Sequence, residues 1–191
     1  MTAFTLNLHP AIELTDEQFF QLCQNNRDLR LERTAAGELI IMPPTGWKSG
    51  NRNSRLTQRL GNWTDADGTG IAFDSSTGFK LPNGANRSPD AAWITKARLT
   101  ALNPNPDKFL PLVPDFVVEL RSASDNLITL QAKMQEYIAC GARLGWLIDP
   151  QNQHVEVYRQ GKTVEILQSP SVLSGEDVLP GFVLNLDQIL P

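Results

Sequence analysis

The stretch from Pro114 to Asp149 constrains the fold most. Pro114-Asp115-Phe116-Val117-Val118-Glu119-Leu120-Arg121 is a short, nearly continuous apolar run, the pattern of a largely buried strand. Ser122 to Asp125 supply candidate caps for a helix running to about Cys140, with Gly141 as its stop. Leu144-Gly145-Trp146-Leu147-Ile148-Asp149 is a second apolar run. Strand, helix and strand within about 35 residues make a βαβ unit, which requires a parallel strand pair and a right-handed crossover.

Two apolar strands carry carboxylates. One is the Glu119 strand; the other is Ser88-Pro89-Asp90-Ala91-Ala92-Trp93-Ile94. A buried, unpaired carboxylate is costly, so a cation, a metal or several donors should stand beside it. Strand alternation puts Asp115, Val117, Glu119 and Arg121 on one face and Phe116, Val118 and Leu120 on the other. In the following helix, with Leu127 at zero and about 100° per residue, Leu130, Met134, Tyr137 and Ile138 form the core-facing arc. Lys133 falls near 240°, at the edge of that arc beside Tyr137. It can reach back over the sheet toward Glu119 or snorkel to solvent; phasing alone leaves both open. Two acidic strands followed by a lysine-bearing helix point to metal-dependent phosphodiester hydrolysis.

The rest of the chain reads as one domain over residues 1–191. Residues 1–48 form an N-terminal helix and hairpin, 49–150 the core, and 151–191 a C-terminal hairpin and tail. Leu14-Thr15-Asp16-Glu17-Gln18-Phe19 is a capping box with a hydrophobic staple, opening a short helix to about Cys23. Leu29–Arg33 and Glu38–Met42 flank Ala35-Ala36-Gly37 as a hairpin. Strands are expected near Ile71–Asp74 and Gly78–Leu81, with a Pro-rich loop from Asn103 to Pro114. A further hairpin comes from His154–Tyr158 and Thr163–Leu167. With 41% hydrophobic residues the chain can build a core. No apolar run is long enough for a membrane span, and the N-terminus has no signal-peptide pattern, so a cytoplasmic protein is expected. Cys23 and Cys140 read as two buried thiols; with two cysteines and two histidines far apart, no zinc site is visible.

The net charge of −4 argues against a surface that coats nucleic acid as a whole, but not against a local basic patch. Such a patch exists. From Leu39 to Thr64 there is no acidic residue, while Lys48, Arg52, Arg55 and Arg59 are present. In the helix expected from Ser49 to Trp63, the three arginines form one stripe beside the Leu56/Leu60/Trp63 face, and Asn53 sits at the edge of that face. The stripe is either a solvated face or a phosphate-contacting one.

Pro89-Asp90, Glu119-Leu120-Arg121 and a following helix with Lys133 resemble the PD-(D/E)XK nuclease superfamily. More specifically, the chain resembles the Uma2 family (DUF820) of restriction-endonuclease-like proteins. The matching stretches are Ser88 to Trp93, Pro114 to Ser122, Lys133 to Tyr137, Gly145 to Pro150 and Gly175 to Phe182. The resemblance implies an α/β fold with a restriction-endonuclease-like core in α-β-β-β-α-β order. That core is a mixed sheet flanked by helices, with an extra N-terminal helix and hairpins. The motif's lysine position, two after the glutamate, is Arg121 here; the resemblance implies that the lysine has migrated to Lys133. Asp90, Glu119 and the Leu120 backbone carbonyl would then hold Mg²⁺ or Mn²⁺. Lys133 would orient or deprotonate water, and Arg121 would neutralise phosphate charge. Glu38 is a candidate to complete the acidic cluster, equally readable as a hairpin carboxylate in solvent. Lys48, Arg52, Arg55 and Arg59 would meet DNA, and a homodimer would cut both strands. Two rival readings stand beside the endonuclease: a catalytically inactive nucleic-acid-binding or regulatory module on the same fold, and an interaction protein whose carboxylates merely pair with Arg121 and Lys133. Convergence of Asp90, Glu119 and Lys133 in one site is the geometric expectation.

Overall fold

A computed structural model describes residues 3–190. Met1, Thr2 and Pro191, which fall within the single-domain expectation and, at the N-terminus, the signal-peptide reading, lie outside the described residues. In chain order the elements begin with β1 (Phe4–Leu6), α1 (Asp16–Asn25), β2 (Arg30–Arg33) and β3 (Leu39–Met42). The long helix α2 (Trp47–Asp67) leads into β4 (Gly70–Asp74), β5 (Phe79–Lys80), β6 (Asn86–Arg87) and β7 (Ala91–Thr95). Then come α3 (Lys96–Leu102), β8 (Phe116–Leu120), α4 (Leu127–Cys140) and β9 (Leu144–Asp149). The chain closes with β10 (His154–Arg159), β11 (Glu165–Gln168), β12 (Val172–Ser174) and β13 (Val183–Asn185). Among the described residues no helix is long and apolar enough to cross a membrane.

The core is a six-stranded mixed sheet in the order β11-β10-β9-β8-β7-β4. Within it β8 and β9 are parallel, as the βαβ unit requires, and the other neighbours are antiparallel. A five-stranded sheet, β1-β3-β2-β6-β5, gathers the N-terminal hairpin and the short strands after β4. Each sequence element follows local chemistry. In α1 the capping box closes at both ends: Gln18 N donates to Thr15 Oγ1 at 3.2 Å and Thr15 N donates to Gln18 Oε1 at 2.9 Å. α4 is capped one residue later than the sequence suggests, by Asn126, whose Oδ1 accepts from Thr129 N. α2 outruns its expected limits at both ends, because no proline intervenes between Gly46 and the left-handed Gly68.

Strand alternation then divides two cores. On one face of the large sheet, Phe116, Val118 and Leu120 pack with Trp93 and Trp146 under Leu56 and Leu60 of α2. The tail residues Leu173, Leu179, Phe182, Leu184 and Ile189 seal that face. On the other face Val117, Ala92 and Leu147 pack under Met134 and Tyr137 of α4. Glu119 follows Val117 by two, so it opens on the α4 face. Asp115 at the strand entry accepts from Thr95 N at 3.0 Å and pairs with Arg98 at 2.8 Å, which fastens the unanticipated helix α3 to the sheet. Cys23 and Cys140 are free and half-buried. The thiol of Cys23 is pushed up to about 11 by burial.

Candidate active site

The antiparallel register pairs Ala91 with Val118, so one step further sets Asp90 opposite Glu119 at the mouth of the β7–β8 pair. The peptide N–H of Leu120 donates to Asp90 Oδ2 at 2.8 Å, which fixes that carboxylate against the neighbouring strand. Lys133, one turn before Tyr137 on α4, does not reach bulk water. Its Nζ lies 2.8 Å from Glu119 Oε1 and 2.8 Å from Glu32 Oε1. Tyr137 Oη donates to the same Glu119 oxygen at 3.2 Å. Asp90, Glu119, Leu120 and Lys133 line one cleft of about 140 Å³, which Asn53 also lines. The side-chain oxygen of Asn53 is buried there without a hydrogen-bond donor.

Glu32 has no place in the sequence reading, yet it ties the site together. Its Oε1 accepts from Lys133 and from Ser88 N at 2.9 Å, and its Oε2 meets Arg87 at 3.2 Å. Arg87 also holds Glu136 of α4 at 2.6 Å. Glu38 stands at the turn before β3, where its Oε2 accepts from Thr34 Oγ1 at 3.2 Å; it lines a neighbouring cavity with Glu32, Arg87 and Lys133 but is not among the partners of Lys133. The hairpin carries both acids, and only the packing of β2 against α4 selects Glu32. A signal existed in the alternation of β2, which puts Arg30 and Glu32 on one face.

Arg121 is also engaged away from Asp90 and Glu119. Its guanidinium donates to Asp149 Oδ2 at 2.8 Å, so Asp149 anchors that arginine as well as shaping the turn after β9. The arginine stripe of α2 is partly structural. Arg59 donates to the carbonyls of Asn185 and Asp187 in the tail, and Arg55 to Asn51 Oδ1 at 3.1 Å. Arg52 has no ion pair among the described residues, and Lys48 sits over the exposed Trp47 ring at 5.8 Å.

The electrostatics follow from burial. Glu119 is pushed up to about 7, first by burial, against the pull of Lys133 and with the repulsion of Asp90 and Glu32. Asp90 is also raised by burial, partly offset by the Leu120 N–H. Glu32 goes the other way: burial opposes ionisation, but Lys133 and Arg87 outweigh it. Lys133 is raised despite burial, because Glu119 and Glu32 flank it. Its ammonium is therefore a fixed charge.

The family profile described as "Uma2: Putative restriction endonuclease" matches residues 16–187. The chain belongs to the Uma2 family. Among solved structures, a crystal structure described as "a putative nuclease belonging to DUF820", from Anabaena variabilis ATCC 29413, is similar, with a TM-score of 0.78 at 18% identity. The match covers 93% of this chain and 97% of that one, and at this identity the likeness is one of fold. No curated protein matches the chain in sequence. The mixed α/β architecture expected from the Uma2 resemblance is the architecture observed.

A hard cation suits what this Uma2 site offers. Asp90 Oδ1 and Glu119 Oε2 accept no hydrogen bond from any described residue, whereas both oxygens of Glu32 are taken. Two free carboxylate oxygens, in a cleft with room for water, fit an ion that keeps much of its hydration. Among the described residues no group of three or more His, Cys, Asp or Glu is arranged to hold a metal, so a ligand set dominated by protein is not on offer.

Proposed function

We propose that this Uma2 protein is a nuclease that hydrolyses phosphodiester bonds in DNA with Mg²⁺ or Mn²⁺ held by Asp90, Glu119 and the Leu120 carbonyl. The observation that carries the reading is the meeting of Lys133 with Glu119, beside Asp90, in one solvent-reached cleft. The cation, when bound, supplies Lewis-acid activation of the scissile phosphate. Tyr137 steadies the Glu119 oxygen that Lys133 also holds, leaving the other oxygen without a donor among the described residues. Lys133 takes the role of the motif lysine, whose usual position is Arg121. Flanked by two carboxylates it stays protonated, so it orients the attacking water and stabilises developing negative charge, and does not abstract a proton. Lys48, Arg52 and Arg55 contact flanking phosphates, and Arg59 contributes through the tail it braces. Two copies acting as a homodimer cut both strands, in the cytoplasm, where two free thiols are at home.

One observation favours a second reading, a binding module without catalysis: the guanidinium at the motif's lysine position is committed to Asp149. Plasmid nicking with Mg²⁺ or Mn²⁺ decides between them. Wild type should nick while Glu119→Ala and Lys133→Ala do not; if wild type never exceeds the variants, the nuclease reading is lost. Calorimetry should show divalent-ion binding that Asp90→Asn abolishes, and a purely ion-paired cluster would show none.

A further inference from the structure

The cleft does not end at Asp90. Arg30, Met42 and Ser88 line both the cleft and a second cavity of about 300 Å³ beside it. Arg27, Ser75 and Ser76 line the far side of that cavity, and no acidic side chain does. Arg30 shares a face of β2 with Glu32, so the strand that steadies Lys133 also aims a cation at the neighbouring space. Arg30 is exposed, and one of its nitrogens is tethered to the Ser75 carbonyl at 2.7 Å, which holds the fork in place with most of its donors open. It lines the same cleft as Asp90. Arg27 is fixed in turn on Gln24 at the end of α1. Leu29, Met42 and Phe109 give the cavity an apolar wall suited to a sugar or base. Burial keeps the Cys23 thiol on that wall neutral, so it adds no repulsion.

Resting on the nuclease reading above, we propose that this second cavity is a phosphate subsite, in which Arg30 holds the phosphodiester next to the scissile one and Arg27 the one after it along the same nucleic-acid strand. A planar guanidinium fork matches phosphate oxygens in pairs, and two forks at successive distances from a carboxylate-lined centre trace a backbone track. The track leaves the site along the segment that joins α1 to β2.

Fluorescence anisotropy of a labelled single strand and the matching duplex, with the full chain in EDTA over a salt series, tests it. Each of Arg30→Ala and Arg27→Ala should weaken binding and lower the slope of log affinity against log salt by about 0.7 to 0.9, the share of one neutralised phosphate. Arg30→Lys should recover the slope, because it keeps the charge. Lys162→Ala, in the distant β10–β11 turn, should bind as wild type does. If wild type binds but the alanine variants keep its slope, the subsite is refuted while the nuclease reading stands. If Arg30→Lys fails as badly as Arg30→Ala, the residue serves the Ser75 loop and the subsite is equally refuted. If wild type binds neither oligonucleotide, the subsite and the reading beneath it fall together.

Discussion

Lys133 carries an ammonium between two buried carboxylates, and removing it leaves Glu119 without a cation and Glu32 with Arg87 alone. Taking one partner from a buried ion pair costs on the order of 3 to 5 kcal/mol. Lys133→Ala should therefore lose nicking activity and also unfold at markedly lower urea. Glu32→Gln should keep the fold and lose activity in part, because Glu119 still holds the ammonium. Glu119 has its own pH signature. Its folded value, about 7, lies above the ordinary 4.5, so without a cation the protonated form is favoured by folding. The resulting stability is fully present below pH 4.5 and is lost as pH rises through about 7. Urea midpoints of the metal-free protein should fall across that window, and Glu119→Gln should flatten the fall. Protons compete with the cation for the same oxygens, so divalent-ion affinity measured by calorimetry should weaken as pH drops below about 7.

Among the elements, α2 offers contrasting tests. Gly61 is interior to the helix, and a Cβ built there meets nothing within 4 Å. Gly61→Ala should stabilise by about 0.5 to 1 kcal/mol in urea titration. Gly70, at the start of β4, has the Trp93 ring against it: a Cβ would lie 2.1 Å from Trp93 Cε2. Gly70→Ala should displace that ring and lower the melting temperature. These elements were largely legible from local pattern. Alternation put Glu119 and Val117 on one face, the 3.6-residue period put Lys133 beside Tyr137, and the capping box of α1 announced itself. What escaped was decided by distant partners. Glu32 and Glu38 look alike along the hairpin, and only the approach of α4 distinguishes them. Arg59 reads as a phosphate ligand until the tail, far along the chain, lays its carbonyls on it. α3 is held by a Thr95 cap and the Arg98–Asp115 pair, an interaction across sequence that no local window contains.

For the whole molecule, the tail is a wall of the core. Leu173, Leu179, Phe182, Leu184 and Ile189 are all buried over the α2 face of the large sheet. Each fully buried side chain of this kind is worth about 1.5 to 3 kcal/mol, so ending the chain after Ser169 should leave a product without cooperative unfolding, as calorimetry would record. Besides the apolar contact of Phe79 with Phe73, Ala92 and Ile94, the two sheets are joined by an ion pair through one side chain on α4. Glu32 belongs to the five-stranded sheet and Glu119 to the six-stranded one, and Lys133 touches both at 2.8 Å. The ammonium is thus a shared tether between two sheets whose strand ladders are separate. A change in the rise or twist of the N-terminal hairpin moves one end of that tether, so the small sheet sets the trim of the lysine as a stay sets a mast.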